Sequence, residues 1–288
     1  MSRFNDTPLG YKIHYSSAGD PTGQLIFCLH GLGGSTNTFT TLVPLLDAYF
    51  CIISVDFPGF GQSPRPNGPN ARRISIADHV AILHHLVTSL QGAATPESAA
   101  ATKPVLLIGH SLGAMVALHY AAAYPAIVGG ALLLGPGRAG GRIPPARKAM
   151  LDLAALVRSD GIEAAATKAS QVTNFYADTP DRTVSLQLKR AVYGAVVASD
   201  PEAYAQTCEA MVADDYMDPD YKEIKCPAVF VAGDKDMISP VPRSEDMVKL
   251  VTGPTEVVVV RSGHQPILED LPGVVRAISI FKHMLKAV

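Results

Sequence analysis

The chain has 288 residues, 48% of them hydrophobic, which is material for one large α/β domain, or for one domain with an inserted subdomain. Net charge is −2 and charged residues are only 17% of the chain, with no basic stripe, so nucleic-acid binding has no electrostatic footprint. No apolar run reaches transmembrane length and residues 1–10 are polar without an apolar signal core, so a soluble, cytoplasmic protein with no membrane partner is expected.

Residues 11–17 read as a modest strand through alternating Tyr11, Ile13 and Tyr15, and Asp20-Pro21-Thr22-Gly23 as a turn. Residues 25–29 form a buried strand that runs into His30-Gly31-Leu32-Gly33-Gly34. A glycine-rich loop after a strand exposes backbone N–H groups. This one lacks the G-x-x-x-x-G-K-[ST] pattern of a phosphate cradle, so the Leu32 N–H is read as one donor of an oxyanion hole, with His30 bracing the loop. Residues 38–46 are expected as a short helix, and 50–55 as the next buried strand, ending in a turn-rich loop. Ser75 caps a helix to about Leu90. His79, His84 and His85 on it lack a metal spacing with a carboxylate or cysteine partner and are read as surface or helix-end residues. Residues 91–103, rich in Ala, Thr, Ser and Pro, are expected as an exposed loop.

Then comes the stretch with the strongest chemical signal. The apolar run 105–108 ends in Gly109-His110-Ser111-Leu112-Gly113, and an Ala-rich helix follows until Pro125. G-x-S-x-G alone is weak, since roughly one chain in ten of this length carries it by chance. Strand, sharp turn and helix are the context that makes it a nucleophile elbow, with Ser111 at the positive end of the helix and the Leu112 N–H as the second oxyanion donor. The alternative, an ordinary helix N-cap, leaves the partners found downstream unexplained.

Residues 128–134 are another buried strand, so strands alternate with helices through the first half, which implies a mostly parallel sheet with helices on both faces. At Gly135 the rhythm breaks. Helical stretches at about 146–158, 161–170, 182–198 and 201–213 follow without a strand between them. Residues 137–224 are therefore expected as a helical cap inserted into a core of 1–136 and 225–288. Arg138 and Arg142 lie on the loop entering it and are candidate binders of a substrate carboxylate, against the plainer reading of solvated surface arginines. A strand at 228–232, a helix near 241–251, a strand at 256–260 and a last helix from about Pro272 complete the chain.

A serine nucleophile needs a base, and the base needs an acid to hold its tautomer. Of nine histidines, His264 follows the last strand at the carboxyl edge of the sheet, where open α/β folds bind ligands, whereas His110 adjoins Ser111 and its side chain diverges. Asp234 and Asp236 both follow the penultimate strand, and Asp236, further into the loop, is favoured. The four cysteines form no C-x-x-C pair; Cys28 and Cys51 read as small buried hydrophobes in a reduced protein, with a disulfide between them left open.

The order Ser111, Asp236, His264, together with His30-Gly31, Asp56-x-Pro58-Gly59-x-Gly61-x-Ser63, Gly233-x-x-Asp236-x-x-x-Pro240 and Gly263-His264, resembles the α/β-hydrolase superfamily over nearly the whole chain outside the cap. The resemblance implies an α/β-hydrolase fold and places the acid on Asp236. Residues 204–215 and 224–227 are similar to the end of the cap in 3-oxoadipate enol-lactonases. Those enzymes usually carry a tryptophan soon after the strand that precedes the cap, and this chain has none. The resemblance thus implies a carboxylesterase or lactonase acting on a small-molecule ester or lactone, with no metal or organic cofactor. Competing readings are a carbon–carbon bond hydrolase of a ring-cleavage product, using the same triad, and a ligand-binding receptor with vestigial hydrolysis.

Overall fold

The computed structural model describes residues 1–46, 48–67, 72–93 and 103–287. Most of the loop expected at 91–103 lies outside the described residues. Eight strands form one sheet: β1 (Ser2–Asp6), β2 (Lys12–Gly19), β3 (Gln24–Leu29), β4 (Phe50–Val55), β5 (Val105–His110), β6 (Val128–Leu134), β7 (Ala228–Gly233) and β8 (Thr255–Val260). Their order is β1-β2-β4-β3-β5-β6-β7-β8, antiparallel across β1–β2–β4 and parallel from β4 to β8.

Strands β3, β4, β5 and β7 are mostly apolar and almost wholly buried because both faces of the sheet are covered. Alternation along β3 divides the core. Leu25, Phe27 and Leu29 face one cluster, shared with α1 (Ile76–Gly92) and α2 (Leu112–Ala123). Ile26 and Cys28 face the other, closed by Val274, Ile278 and Phe281 of the last helix, α9 (Leu271–Lys286). Between β6 and β7 lie α3 (Pro144–Asp160), α4 (Ile162–Lys168) continuing into a π-turn at Ala169–Thr173, α5 (Leu186–Val197) and α6 (Pro201–Ala210). After β7 come α7 (Val241–Val248) and the single turn α8 (Pro266–Glu269).

Four details depart from the sequence reading. Residues 1–10, read only as polar, contain β1, an exposed edge strand whose register is set by backbone pairing with β2 rather than by an apolar face. The helix expected at 38–46 is two 3₁₀ turns, Thr36–Phe39 and Val43–Leu45, because Pro44 removes an N–H from any continuous ladder. The helix expected from 182 starts at Leu186 behind the Ser185 cap, after a bridge between Thr179 and Arg182. His79 is not on the surface: it is fully buried with its ring 4.5 Å from that of Phe57, and burial, then the nearby His30, drives its pKa down to about 3. The cysteines are all buried and free, so Cys28 and Cys51 are unpaired.

The loop after β4 is fixed by one buried carboxylate. Asp56 accepts the Thr36 N–H at 2.6 Å, the Gln62 N–H at 2.9 Å and the His14 Nδ1 at 2.7 Å. Asp56→Ala would strand these donors, each worth about 1–3 kcal/mol when unsatisfied. Urea unfolding should therefore show a loss of roughly 3 kcal/mol or more; a loss under about 1 kcal/mol would mean that water replaces the carboxylate.

Candidate active site

The candidate nucleophile is set by backbone geometry. Ser111, between β5 and α2, has φ 51° and ψ −112° and is the one described non-glycine residue at positive φ. Such a conformation costs of order 1–3 kcal/mol and persists only where packing over-determines it. Here the packing is that of strand against helix. A Cβ on Gly109 would lie 2.5 Å from the Gly113 carbonyl oxygen and 2.6 Å from the Ala114 nitrogen, and one on Gly113 would overlap the Leu29 carbonyl. The Ser111 N–H is anchored to the Leu134 carbonyl at 2.8 Å.

His264 and Asp236 reach this serine from the loops after β8 and β7. His264 Nε2 is 2.9 Å from Ser111 Oγ, and Nδ1 is 2.7 Å from Asp236 Oδ2. With Nδ1–H donating to the carboxylate, Nε2 is left to accept the serine proton. Asp236 is buried, and its Oδ1 accepts the N–H groups of Ile238 and Ser239, both at 2.8 Å. Burial alone would raise its pKa. The facing imidazole, its hydrogen bond and those two N–H groups outweigh that penalty and hold the carboxyl below its ordinary 3.8. A depressed carboxylate contributes stability above its unfolded pKa and loses it as pH falls through the folded value, so Asp236 stays ionised throughout the neutral range. Asp234, the alternative acid, instead pairs with Arg182 at 2.7 Å.

The oxyanion loop follows β3. His30 braces it: Nδ1 donates to the Gly31 carbonyl at 2.7 Å and Nε2 accepts the Phe57 N–H at 3.0 Å. Among the described residues neither the Leu32 N–H nor the Leu112 N–H has an acceptor. Beside this loop lies a cavity of about 190 Å³. Leu32 and Gly33 form one wall and Val192 and Val196 of α5 another; His110 and Gln265, chain neighbours of Ser111 and His264, also line it, whereas Ser111 and His264 themselves do not. None of its described lining residues is charged.

The arginines read as carboxylate binders do not reach that cavity. Arg138 grips Asp218 through Nε and an Nη, at 2.8 and 2.6 Å, and Arg142 is exposed outside the lining. The entry loop is basic in sequence, but Asp218, 80 positions along, neutralises it in space. Sequence reasoning also missed the residues that hold the base. His110 Nε2 donates to the His264 carbonyl at 2.7 Å; burial, then the charge of His264, pushes the His110 pKa down to about 3, so it serves as a neutral donor. The His264 N–H goes to the Asn174 carbonyl at 2.9 Å, just past the π-turn.

A mostly parallel sheet carrying a serine elbow after β5, an acid after β7, a histidine after β8 and a helical insertion after β6 defines an α/β-hydrolase. The family model described as the alpha/beta hydrolase family matches residues 26–278, and the chain belongs to that family. Among solved structures it is similar to a thermophilic esterase from Thermogutta terrifontis, at TM-score 0.80 and 22% identity, over 99% of both chains. It is similar also to the enol-lactonase from Burkholderia xenovorans LB400, at TM-score 0.80 and 20% identity, over 98% of this chain and 100% of that one. In sequence it is 32% identical over 134 residues to the 2-hydroxy-6-oxo-6-phenylhexa-2,4-dienoate hydrolase of Comamonas testosteroni, a match spanning 45% of this chain and 42% of that enzyme. No helix among the described residues is long and apolar enough to cross a membrane.

Asp236 and Asp234 should separate cleanly on substitution. Loss of the orienting carboxylate leaves the imidazole in the wrong tautomer, at a cost of about 10⁴ in kcat on the serine-protease template. Asp236→Asn should show that loss in steady-state kinetics and Asp234→Asn should stay within about tenfold of the parent. Reversed effects would exchange their roles.

Proposed function

We propose that the protein is a serine hydrolase of small-molecule carboxylic esters or lactones that works through an acyl-enzyme. One observation carries this reading: the hydrogen-bonded chain from Asp236 through His264 to Ser111, lying beside two acceptor-free N–H groups at Leu32 and Leu112. His264 takes the Ser111 proton as Oγ attacks the carbonyl carbon. The charge moves to the carbonyl oxygen, which the two N–H groups stabilise in a site already oriented for it. The imidazolium is stabilised by Asp236 and returns its proton to the leaving alkoxide. For a lactone that alkoxide stays tethered to the acyl group. Water then gives its proton to His264 and attacks the acyl carbon; the bond from that carbon to Ser111 Oγ breaks, His264 returns the proton to Oγ, and the acid leaves.

The cavity beside the oxyanion loop has no charged lining residue, so a carboxylate seated in it would lose its hydration without gaining a cation, which supports a neutral substrate group there. With Arg138 paired to Asp218, this favours the plainer reading of the arginines, and a simple ester or neutral lactone over a carboxylate-bearing one. The second reading, hydrolysis of a carbon–carbon bond in a ring-cleavage diketone, is supported by the similarity to the Comamonas testosteroni enzyme and uses the same residues. A panel of neutral esters, neutral lactones and a dienoic diketone separates the two by which member turns over.

Ser111 should be the single covalent site for a fluorophosphonate. Intact mass should rise by one adduct, and peptide mapping should place it on Ser111. Labelling elsewhere, or none in the folded protein, would sink the mechanism. On the substrate side, kcat/KM for a neutral aryl ester should exceed that of its carboxylate-bearing analogue by about tenfold or more, on the scale of one uncompensated polar burial. Arg138→Ala should leave that ratio unchanged. A ratio near one in the parent, or one altered by Arg138→Ala, would restore the acidic substrate.

A further inference from the structure

Three successive N–H groups in the loop bearing His264 end on acceptors from outside that loop's strand. Gly263 donates to Glu269 Oε1 at 2.9 Å, His264 to the Asn174 carbonyl at 2.9 Å, and Gln265 to Glu269 Oε1 at 3.1 Å. One carboxylate oxygen thus spans the histidine. Glu269 closes α8, and its own N–H returns to the Gln265 carbonyl at 3.0 Å, completing a tight ring around the base. The second oxygen, Oε2, is buried and has no partner among the described residues. A buried carboxylate oxygen without a partner is costly, so its retention beside the histidine calls for an explanation.

We propose that Glu269 is a positioning residue for the general base: its ionised carboxylate clamps the main chain on both sides of His264 and so aims Nε2 at Ser111. The inference rests on His264 being the base of the proposed hydrolase. The charged groups around Glu269 come from every side. Arg182, from the segment before α5, attracts the carboxylate, although one of its own nitrogens is bound to Asp234. Asp236, after β7, repels it. Asp270 follows it in sequence, but turns its oxygens to the N–H groups of Arg261 and Gly273. His264 is enclosed by the clamp itself.

Burial dominates this balance. It raises the Glu269 pKa to about 7, the two clamped N–H groups and Arg182 pulling down and Asp236 pushing up. The group therefore titrates where enzymes work. Above that value both N–H bonds are charge-assisted. Below it they are weaker, and a proton on Oε2 has no acceptor. The sign for stability is opposite. The native state holds this proton more tightly than the unfolded chain, whose glutamate titrates near 4.5, so stability from this group falls as pH rises from about 4.5 through 7. The clamp is thus tightest in the pH range where the group contributes least to folding.

The test compares parent, Glu269→Gln and Glu269→Ala by ester hydrolysis, fluorophosphonate labelling and melting temperature across pH 5–9. Glutamine keeps the spanning oxygen but does not titrate. The parent's acid limb in log kcat/KM should be steeper than one proton, because His264 and Glu269 must both be deprotonated, and Glu269→Gln should reduce it to one. The Glu269→Gln melting temperature at pH 8 should equal or exceed the parent's. Glu269→Ala should lose about tenfold or more in kcat with KM within about twofold. A parent-like limb in Glu269→Gln, or a folded Glu269→Ala within about threefold of the parent's kcat, would overturn the proposal. If the alanine variant does not fold, the glutamine profile decides alone. A parent that is never labelled at Ser111 rejects the hydrolase reading; a labelled parent whose pH limb is unaltered by Glu269→Gln rejects the clamp only.

Discussion

Everything at the site depends on one strained residue. Ser111 sits at positive φ, in a region that L-residues avoid, and stays there because β5 and α2 approach too closely for any side chain at Gly109 or Gly113. The turn lifts Oγ clear of the sheet, and the first N–H of α2, like that of any helix, has no intrahelical acceptor. The serine hydroxyl and the Leu112 N–H, the proposed nucleophile and oxyanion donor, are thus presented by the same turn. The burial of Val105 to His110 on both faces supplies the rigidity that holds it.

The histidine is placed by other means. It stands on a loop, and no regular ladder fixes a loop. Its main chain is instead held by a neutral imidazole (His110), a carbonyl (Asn174) and a carboxylate (Glu269), each from a different element. The oxyanion loop is treated similarly. Gly33, at φ 75°, packs so closely on α5 that an added Cβ would lie 2.7 Å from Val196. The Gly59 carbonyl accepts the Asp200 N–H at 2.8 Å, tying the loop after β4 to the start of α6. The helices between β6 and β7 are therefore joined to the core at the loops that carry the chemistry. The ion pairs of Arg158 with Glu202 and Glu209 lie within that insertion and are half-exposed, so they contribute modestly.

The core was legible because its signals are local. Apolar runs bounded by glycine and proline mark β3 to β7, and the capping box of Ser75 with Asp78 marks α1. The proposed nucleophile, acid and base were legible for a related reason: each lies just past a strand end, and strand ends are visible in one dimension. The edge strand β1 was not, since its residues pair through backbone atoms and expose their side chains. The carboxylate-binding reading of Arg138 could not take account of Asp218, which lies far along the chain, and a charge is judged by its neighbours in space. Glu269 carries no role in the sequence reading although it is only five positions beyond His264. Its role depends on the turn of α8 folding the carboxylate back onto the N–H groups that precede it.

The bond from the His264 N–H to the Asn174 carbonyl has a further consequence. Asn174 belongs to the helical insertion, whose α5 also walls the cavity. The main chain at His264 is therefore held partly by the insertion itself, so the aim of that imidazole at Ser111 depends on residues outside the sheet and its loops, and a change in the packing of the insertion would be felt at the histidine without touching any of the three side chains.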